Sequence, residues 1–331
     1  MYNEYSEALE VLLRDHCTPA VVRQIESGGS GADLWRLLDE SGFADSLLPE
    51  AGLSLADVAP MLFVMGRHVL PVPLAQTMFA RAVLRMAGVE VPEGREGPEG
   101  SIALADLDGA QRTHVPCGAT ATWFLVQDGA QAALVHRDAV ALSPTGVRDD
   151  LTLSLGEIGM QRFPQRFPLP AGLLRSVGAC LHAVQMAGAM SSVFDLTLQY
   201  ANDRVQFGRN IGKFQAIQHQ ISVMAEQVAA VRMAAQIACA ADGWQPDRLR
   251  AAIGKFNASD AVTAVTSIAH AVHGAIGVTA EYDLQLYTRR LHAWRLADGS
   301  ERYWARELGE ATCEADGLTV DLIREWSGEA A

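Results

Sequence analysis

Charge is scarce in this sequence and leans to one sign. Asp, Glu, Lys and Arg make up 20% of the 331 residues, and the formal net charge is −13. No stretch gathers lysine or arginine into a cluster, which argues against nucleic acid or an anionic membrane as the partner. A small polyanionic ligand needs only a few placed arginines, so that class stays open. Cysteine is also sparse. Cys17, Cys117, Cys180, Cys239 and Cys313 are far apart and odd in number, with no Cys-x-x-Cys spacing. That pattern argues against a disulfide framework and a zinc site; all five are expected as buried, reduced thiols in a cytoplasmic protein. The first residues lack a basic segment followed by an apolar one, so no signal peptide is expected. No charge-free apolar run approaches about 18 residues, so no membrane span is expected.

What is present is apolar and periodic. Hydrophobic residues are 49% of the chain, enough for a sizeable core in one large domain or two to three smaller ones. Residues 1 to about 90 read as helical. Leu9, Leu12 and Leu13 line one face of 7–14. Ser27-Gly-Gly-Ser-Gly31 breaks the pattern, and Leu34, Trp35, Leu37 and Leu38 resume it as far as Gly42. Ser54-Leu-Ala-Asp57 opens another helix, which Pro71 and Pro73 end. A further helix runs over 78–87 and stops at Gly88. Residues 90–100, rich in Pro, Gly and Glu, read as a linker.

Texture changes in 101–170. The runs 102–107, 122–126, 132–136, 140–143 and 152–155 are short, apolar and broken by Gly, Asp and Pro, as strands are. From 171 to 331 the pattern is helical again. Residues 176–203 are rich in Ala, Val and Leu, with Gly178 and Gly188 inside, and small residues permit close helix packing. Phe214, Ile217, Ile221, Met224, Val228 and Val231 recur at helical spacing, the stripe of a bundle core. Residues 248–273 are nearly all small and apolar. The expected architecture is therefore mainly α with a small β domain: a helical region 1–100, a β region 101–170 and a helical bundle 171–331.

Two stretches carry chemistry. The first is Tyr200-Ala-Asn-Asp-Arg-Val-Gln-Phe-Gly-Arg-Asn-Ile-Gly-Lys-Phe-Gln215, a charged, Gly-punctuated corner between two helical patterns. A guanidinium forks onto a pyrophosphate, glycine lets backbone approach a ligand, and an aromatic ring packs on an adenine. Its bland reading is a helix–helix corner. Arg204 to Gln215 resembles the acyl-CoA dehydrogenase motif Arg-x-x-Phe-Gly-x-x-Ile-x-x-x-Gln. The second stretch, Ala271-Val-His-Gly-Ala-Ile-Gly-Val-Thr-Ala-Glu-Tyr-Asp-Leu284, resembles that family's Gln-x-His-Gly-Gly-x-Gly-x-Thr-x-Glu-His/Tyr-x-Leu. Ala271 and Ala275 depart from it, losing a side-chain contact and restricting the turn. His273 reads as a hydrogen-bonded loop histidine. Arg289 and Arg290 read as ion-paired on a helix, with Glu281 and Asp283 nearby.

The resemblance implies the acyl-CoA dehydrogenase fold: N-terminal helical domain, middle β domain and C-terminal four-helix bundle. It implies FAD, with Arg204, Gln206, Phe207 and Gln215 touching the FAD of a neighbouring subunit, and Gly274, Gly277 and Ser300 also at the cofactor. Asp298-Gly-Ser300 aligns where many members carry Glu-Gly-Thr, so Asp298 is the implied base for the α-proton of an acyl-CoA; its bland reading is a turn residue. The alternative base position falls near Gly178, which has no side chain. The loop Thr-x-Pro-x-x-Gly-Ser-Asp, whose backbone holds the flavin ring in the family, is missing, and Ile102-Ala-Leu-Ala-Asp-Leu-Asp-Gly109 occupies its region. Three readings stay open: an FAD-dependent acyl-CoA dehydrogenase or a subunit of one, with an electron-transfer flavoprotein as acceptor; a silent companion completing the FAD site of an unlike partner subunit; and a flavin-dependent monooxygenase on the same fold. The chain is expected in a homo- or hetero-oligomer, a dimer of dimers or α2β2. The short chain resembles subunits of heteromeric steroid side-chain enzymes.

Overall fold

The computed structural model describes residues 3–89, 100–156 and 158–327. The linker expected over 90–100 lies almost wholly outside the described residues.

Five helices come first: α1 (Glu4–His16), α2 (Pro19–Glu26), α3 (Ala32–Glu40), α4 (Leu55–Arg67) and α5 (Leu74–Ala87). Local chemistry sets their ends. Ser54 Oγ accepts from the Asp57 amide, and the Asp57 carboxylate accepts from the Ser54 amide at 2.9 Å, a reciprocal cap on α4. Gly88 closes α5 in the left-handed region, φ 66°. Helix α2 was not expected, although Thr18 caps it through the Val21 amide and Pro19 stands at its first position.

Seven strands follow: β1 (Ile102–Asp106), β2 (Arg112–Val115), β3 (Trp123–Asp128), β4 (Gln131–His136), β5 (Ala141–Pro144), β6 (Leu151–Ser154) and β7 (Phe167–Pro168). They form a four-stranded sheet in the order β1-β3-β4-β7 and a three-stranded sheet in the order β2-β6-β5. Strand β1 runs parallel to β3, and the other pairs are antiparallel. Side chains alternate along β1. Ala103 and Ala105 join the core between the sheets, and Ile102 and Leu104 join the helical core. A sheet covered on both faces explains why its strands read as continuous apolar runs.

The C-terminal part holds α6 (Leu173–Asp203), the hairpin β8 (Val205–Gln206) and β9 (Arg209–Asn210), α7 (Gln215–Ala238), α8 (Arg248–His273), α9 (Leu284–Leu296), α10 (Glu301–Glu314) and α11 (Thr319–Ser327). Helix α6 is the axis of the molecule. A Cβ on Gly188 would lie 2.0 Å from the Phe63 carbonyl oxygen of α4, so these two helices meet backbone to backbone. Helix α6 and the helical stretch Arg248–Val278 have the length and apolar composition of a membrane span; the most apolar part of α6 is 94% buried in the protein and that of Arg248–Val278 44%.

Four cysteines are buried as expected, and Cys313 is exposed, a correction. Cys180 and Cys239, far apart in sequence, place their sulfurs 3.5 Å apart across α6 and the end of α7. Arg289 and Arg290 are ion-paired on α9 as expected, but with partners distant in sequence. Arg289 pairs with Glu26 at 2.6 Å, and Arg290 with Glu26 at 3.0 Å and with Asp149, whereas Asp283 pairs with Arg23.

Candidate active site

Asp298 sits between α9 and α10 in the left-handed region, φ 53°, followed by Gly299 at φ 101°. The turn reading of Asp-Gly is met. The side chain has a second engagement: Oδ2 lies 2.8 Å from His182 Nδ1 on α6. His182 is buried, while the Asp298 side chain keeps 20% of its surface exposed. The carboxylate lies flat on Gly178, where a Cβ would come within 2.2 Å of Asp298 Cγ. The two positions expected for the base are thus in contact, and the missing side chain at 178 is the room that Asp298 occupies.

The backbone of this turn is clamped from below. Lys255 of α8, fully buried, donates to Arg295 O at 3.0 Å, Gly299 O at 2.9 Å and Ser259 Oγ at 3.0 Å. Burial pushes its ammonium down to about 7, against the pull of Asp298 and Glu301. The Trp304 indole donates to Asp298 O at 3.0 Å. Ser300 is the N-cap residue of α10, without a side-chain cap bond. Neither His182 nor Lys255 was singled out from sequence. Each is an ionisable residue in a helical run of mostly small and apolar residues, and that was the available signal.

On the β side, Arg175 of α6 reaches Asp106 at 3.2 Å, without hydrogen-bond geometry, and Asp108 at 2.7 Å. Burial pushes Asp106 up to about 6, opposed by Arg175. The Leu107 amide donates to Gln127 O at 2.9 Å, Gly109 to Asp128 Oδ1 at 2.8 Å and Ala110 to Leu107 O at 2.9 Å. These amides, in the region where the family carries its flavin-ring loop, are spent inside the fold.

The other predicted residues gather at the far end of α6. Arg204 is its C-cap. Gln206 and Phe207 lie on the β8–β9 hairpin, and Gln215 is the first residue of α7. Phe207 is 92% exposed at φ 52°. Arg204 is exposed and makes no side-chain hydrogen bond or ion pair among the described residues. Arg209 lies 4.2 Å over the Phe214 ring, which fixes the base of the corner. The second motif arrives at the same end. Gly274 caps α8 at φ 63°, and Gly277 packs where a Cβ would meet His273 Cβ at 2.9 Å. His273 stacks on Tyr200 at 4.5 Å, and its Nδ1 meets Ala269 O at 2.8 Å; it is hydrogen-bonded as expected, but as the last residue of α8 and not in a loop. Residues 182 and 204 stand about 33 Å apart at the 1.5 Å rise of a helix. The carboxylate and the corner are therefore at opposite ends of one chain.

The family model "Acyl-CoA dehydrogenase, C-terminal domain" matches residues 176–312. Acyl-CoA dehydrogenase IpdE2 of Mycolicibacterium smegmatis is 32% identical over 319 residues, covering 91% of this chain and 96% of that protein. The chain belongs to the acyl-CoA dehydrogenase family. Acyl-CoA dehydrogenase IpdE2 of Mycobacterium tuberculosis is also 32% identical, over 86% of this chain and 89% of its own. Among solved structures, the Tcur3481–Tcur3483 steroid ACAD variant superposes with a TM-score of 0.74 at 26% identity, covering 94% of this chain and 97% of that one. The ChsE4–ChsE5 complex from Mycobacterium tuberculosis gives 0.73 at 20% identity, over 96% and 99%, which shows the fold. The family's fold, mainly helical with a small β part, is the fold seen here.

The residues present fit FAD at the corner and not along 107–110. A free guanidinium, an amide side chain and an exposed ring suit a pyrophosphate and an adenine.

Proposed function

We propose that this chain is a subunit of an oligomeric acyl-CoA dehydrogenase that removes an α-proton and a β-hydride from an acyl-CoA. The separation of Asp298 from the Arg204 corner along α6 carries the reading. One dinucleotide does not bridge that distance, so the corner serves FAD bound mainly by another chain, and the end of the molecule around Asp298 receives a neighbour's corner in return. When bound, FAD supplies the hydride acceptor, with an electron-transfer flavoprotein as its oxidant. Arg204 and Gln206 would hold the pyrophosphate, Phe207 and Gln215 the adenine side, and Gly274 and Gly277 would offer backbone close to that same FAD, whereas Ser300, at the Asp298 end, would lie close to the FAD there.

Asp298 acts as the base. An α-proton beside a thioester is weakly acidic, so the carboxylate needs fixed orientation and partial exclusion from water. It has both, through Gly178 and His182 and through its limited exposure. Asp298→Asn removes the base, and the expected outcome is loss of α-hydrogen exchange from butyryl-CoA or octanoyl-CoA in D2O with FAD content unchanged. An assembled enzyme that exchanges no α-proton, or a variant that exchanges as fast as the parent, contradicts this.

A specific observation favours a second reading. The amides of 107, 109 and 110 are already engaged, so the flavin ring draws its donors from elsewhere. If a partner holds the whole ring side, this chain is a silent companion and Asp298 is structural. The exchange experiment separates the two, since a companion's Asp298→Asn leaves exchange by the complex intact.

A further inference from the structure

The Asp298 carboxylate is held at one oxygen only. Oδ2 takes the bond from His182, and Oδ1 has no hydrogen-bond partner among the described residues. A carboxylate oxygen can only accept, so His182 Nδ1 carries the hydrogen. The imidazole is buried, with its centroid 5.9 Å from that of Trp294. Its Nε2 is buried and has no partner among the described residues. A histidine whose one hydrogen bond among the described residues is to a carboxylate is placed for that bond. Gly178, one helical turn earlier, leaves the carboxylate its seat. The main chain is fixed independently, by Lys255 from α8 and Trp304 from α10.

We infer that His182 is the positioning residue of this site: it fixes Oδ2 and thereby makes Oδ1 the atom that takes the α-proton. The inference rests on Asp298 being the base. In the step, the Cα–H bond breaks and its proton passes to Oδ1. Its electron pair forms the Cα=Cβ bond, and the Cβ–H bond breaks with its pair leaving as hydride to the flavin. A carboxylate free to rotate would present the wrong oxygen or the wrong angle for much of the time.

The test uses two amides in place of the imidazole in the assembled flavoprotein. His182→Asn places a nitrogen near the Nδ1 position, and His182→Gln places one near Nε2. Neither variant titrates. Exchange of the α-hydrogens of butyryl-CoA and octanoyl-CoA in D2O is followed by mass spectrometry, with FAD content and Tm measured alongside. The expected result is that His182→Asn stays within about threefold of the parent while His182→Gln falls on the order of tenfold to a hundredfold, at equal FAD content. Equal rates in the two variants overturn the inference. Should neither variant fold, 15N NMR of the parent decides it. The imidazole whose signals move on Asp298→Asn is expected to carry hydrogen on Nδ1, and hydrogen on Nε2 alone overturns the inference. Exchange that survives Asp298→Asn sinks the reading of the base and the inference with it; exchange lost there but equal in the two His182 variants sinks the inference alone.

Discussion

Asp298 and Gly178 form one unit, since the side chain of one fills the space left by the other. Gly178→Ala gains helix propensity but drives a Cβ into the carboxylate. The expected cost is about 1–3 kcal/mol by thermal or urea unfolding. In a chain carrying Asp298→Gly the same substitution becomes neutral or stabilising, which tests whether the clash is with that carboxylate. Lys255 gives a pH signature. Its pKa is lowered from 10.5 to about 7 by burial. Below about 7 both folded and unfolded chains hold the proton. Above it the folded chain releases the proton first, so this group adds stability as pH rises, by up to ~1.4 kcal/mol per pH unit until its ordinary value is reached. Unfolding of the parent and of Lys255→Met, compared from about pH 6.5 to about pH 9, should move in the parent's favour as pH rises. Of these residues, only Asp298 stood in a motif. His182 and Lys255 were hidden because the turn they hold, Asp298 and Gly299, is distant in sequence, and periodicity marks a face without naming what it meets.

Helices were readable where capping and period agree. The bounds expected for 248–273 are those of α8, and Ser54 with Asp57 begins α4 through the capping chemistry their spacing suggests. Helix α2 was missed because its eight residues are too few for a period to show. Strand β2 was missed because Arg112-Thr-His-Val115 is half exposed and polar. The glycines of α6 were expected to allow close packing, and Gly188 does so against Phe63 O. A backbone oxygen at 2.0 Å from a new Cβ does not yield as a flexible side chain would. Gly188→Ala should therefore separate α4 from α6 and lower stability by roughly 1–3 kcal/mol or more, read as a drop in the denaturant midpoint.

Across the whole molecule, Arg290 of α9 ties the N-terminal helices to the β region through Glu26 and Asp149, all three buried. Arg290→Leu leaves the buried Asp149 without its cation and Glu26 with Arg289 alone, and unfolding should show a loss of about 3–5 kcal/mol. Sequence proximity had suggested Glu281 and Asp283 as partners, and only the fold brings Glu26 and Asp149 to that arginine. The order of helical, β and helical parts was legible because each changes texture. The separation of the two functional ends was not, since it follows from α6 being one continuous helix of 31 residues. The central claim is that the exposed corner completes an FAD site in another chain. Its most direct test is bound FAD per polypeptide in the assembled protein, with mass by light scattering, for the parent and for Arg204→Ala. The account predicts that Arg204→Ala loses most of its FAD at unchanged mass and helical content. Full retention of FAD by Arg204→Ala would contradict it.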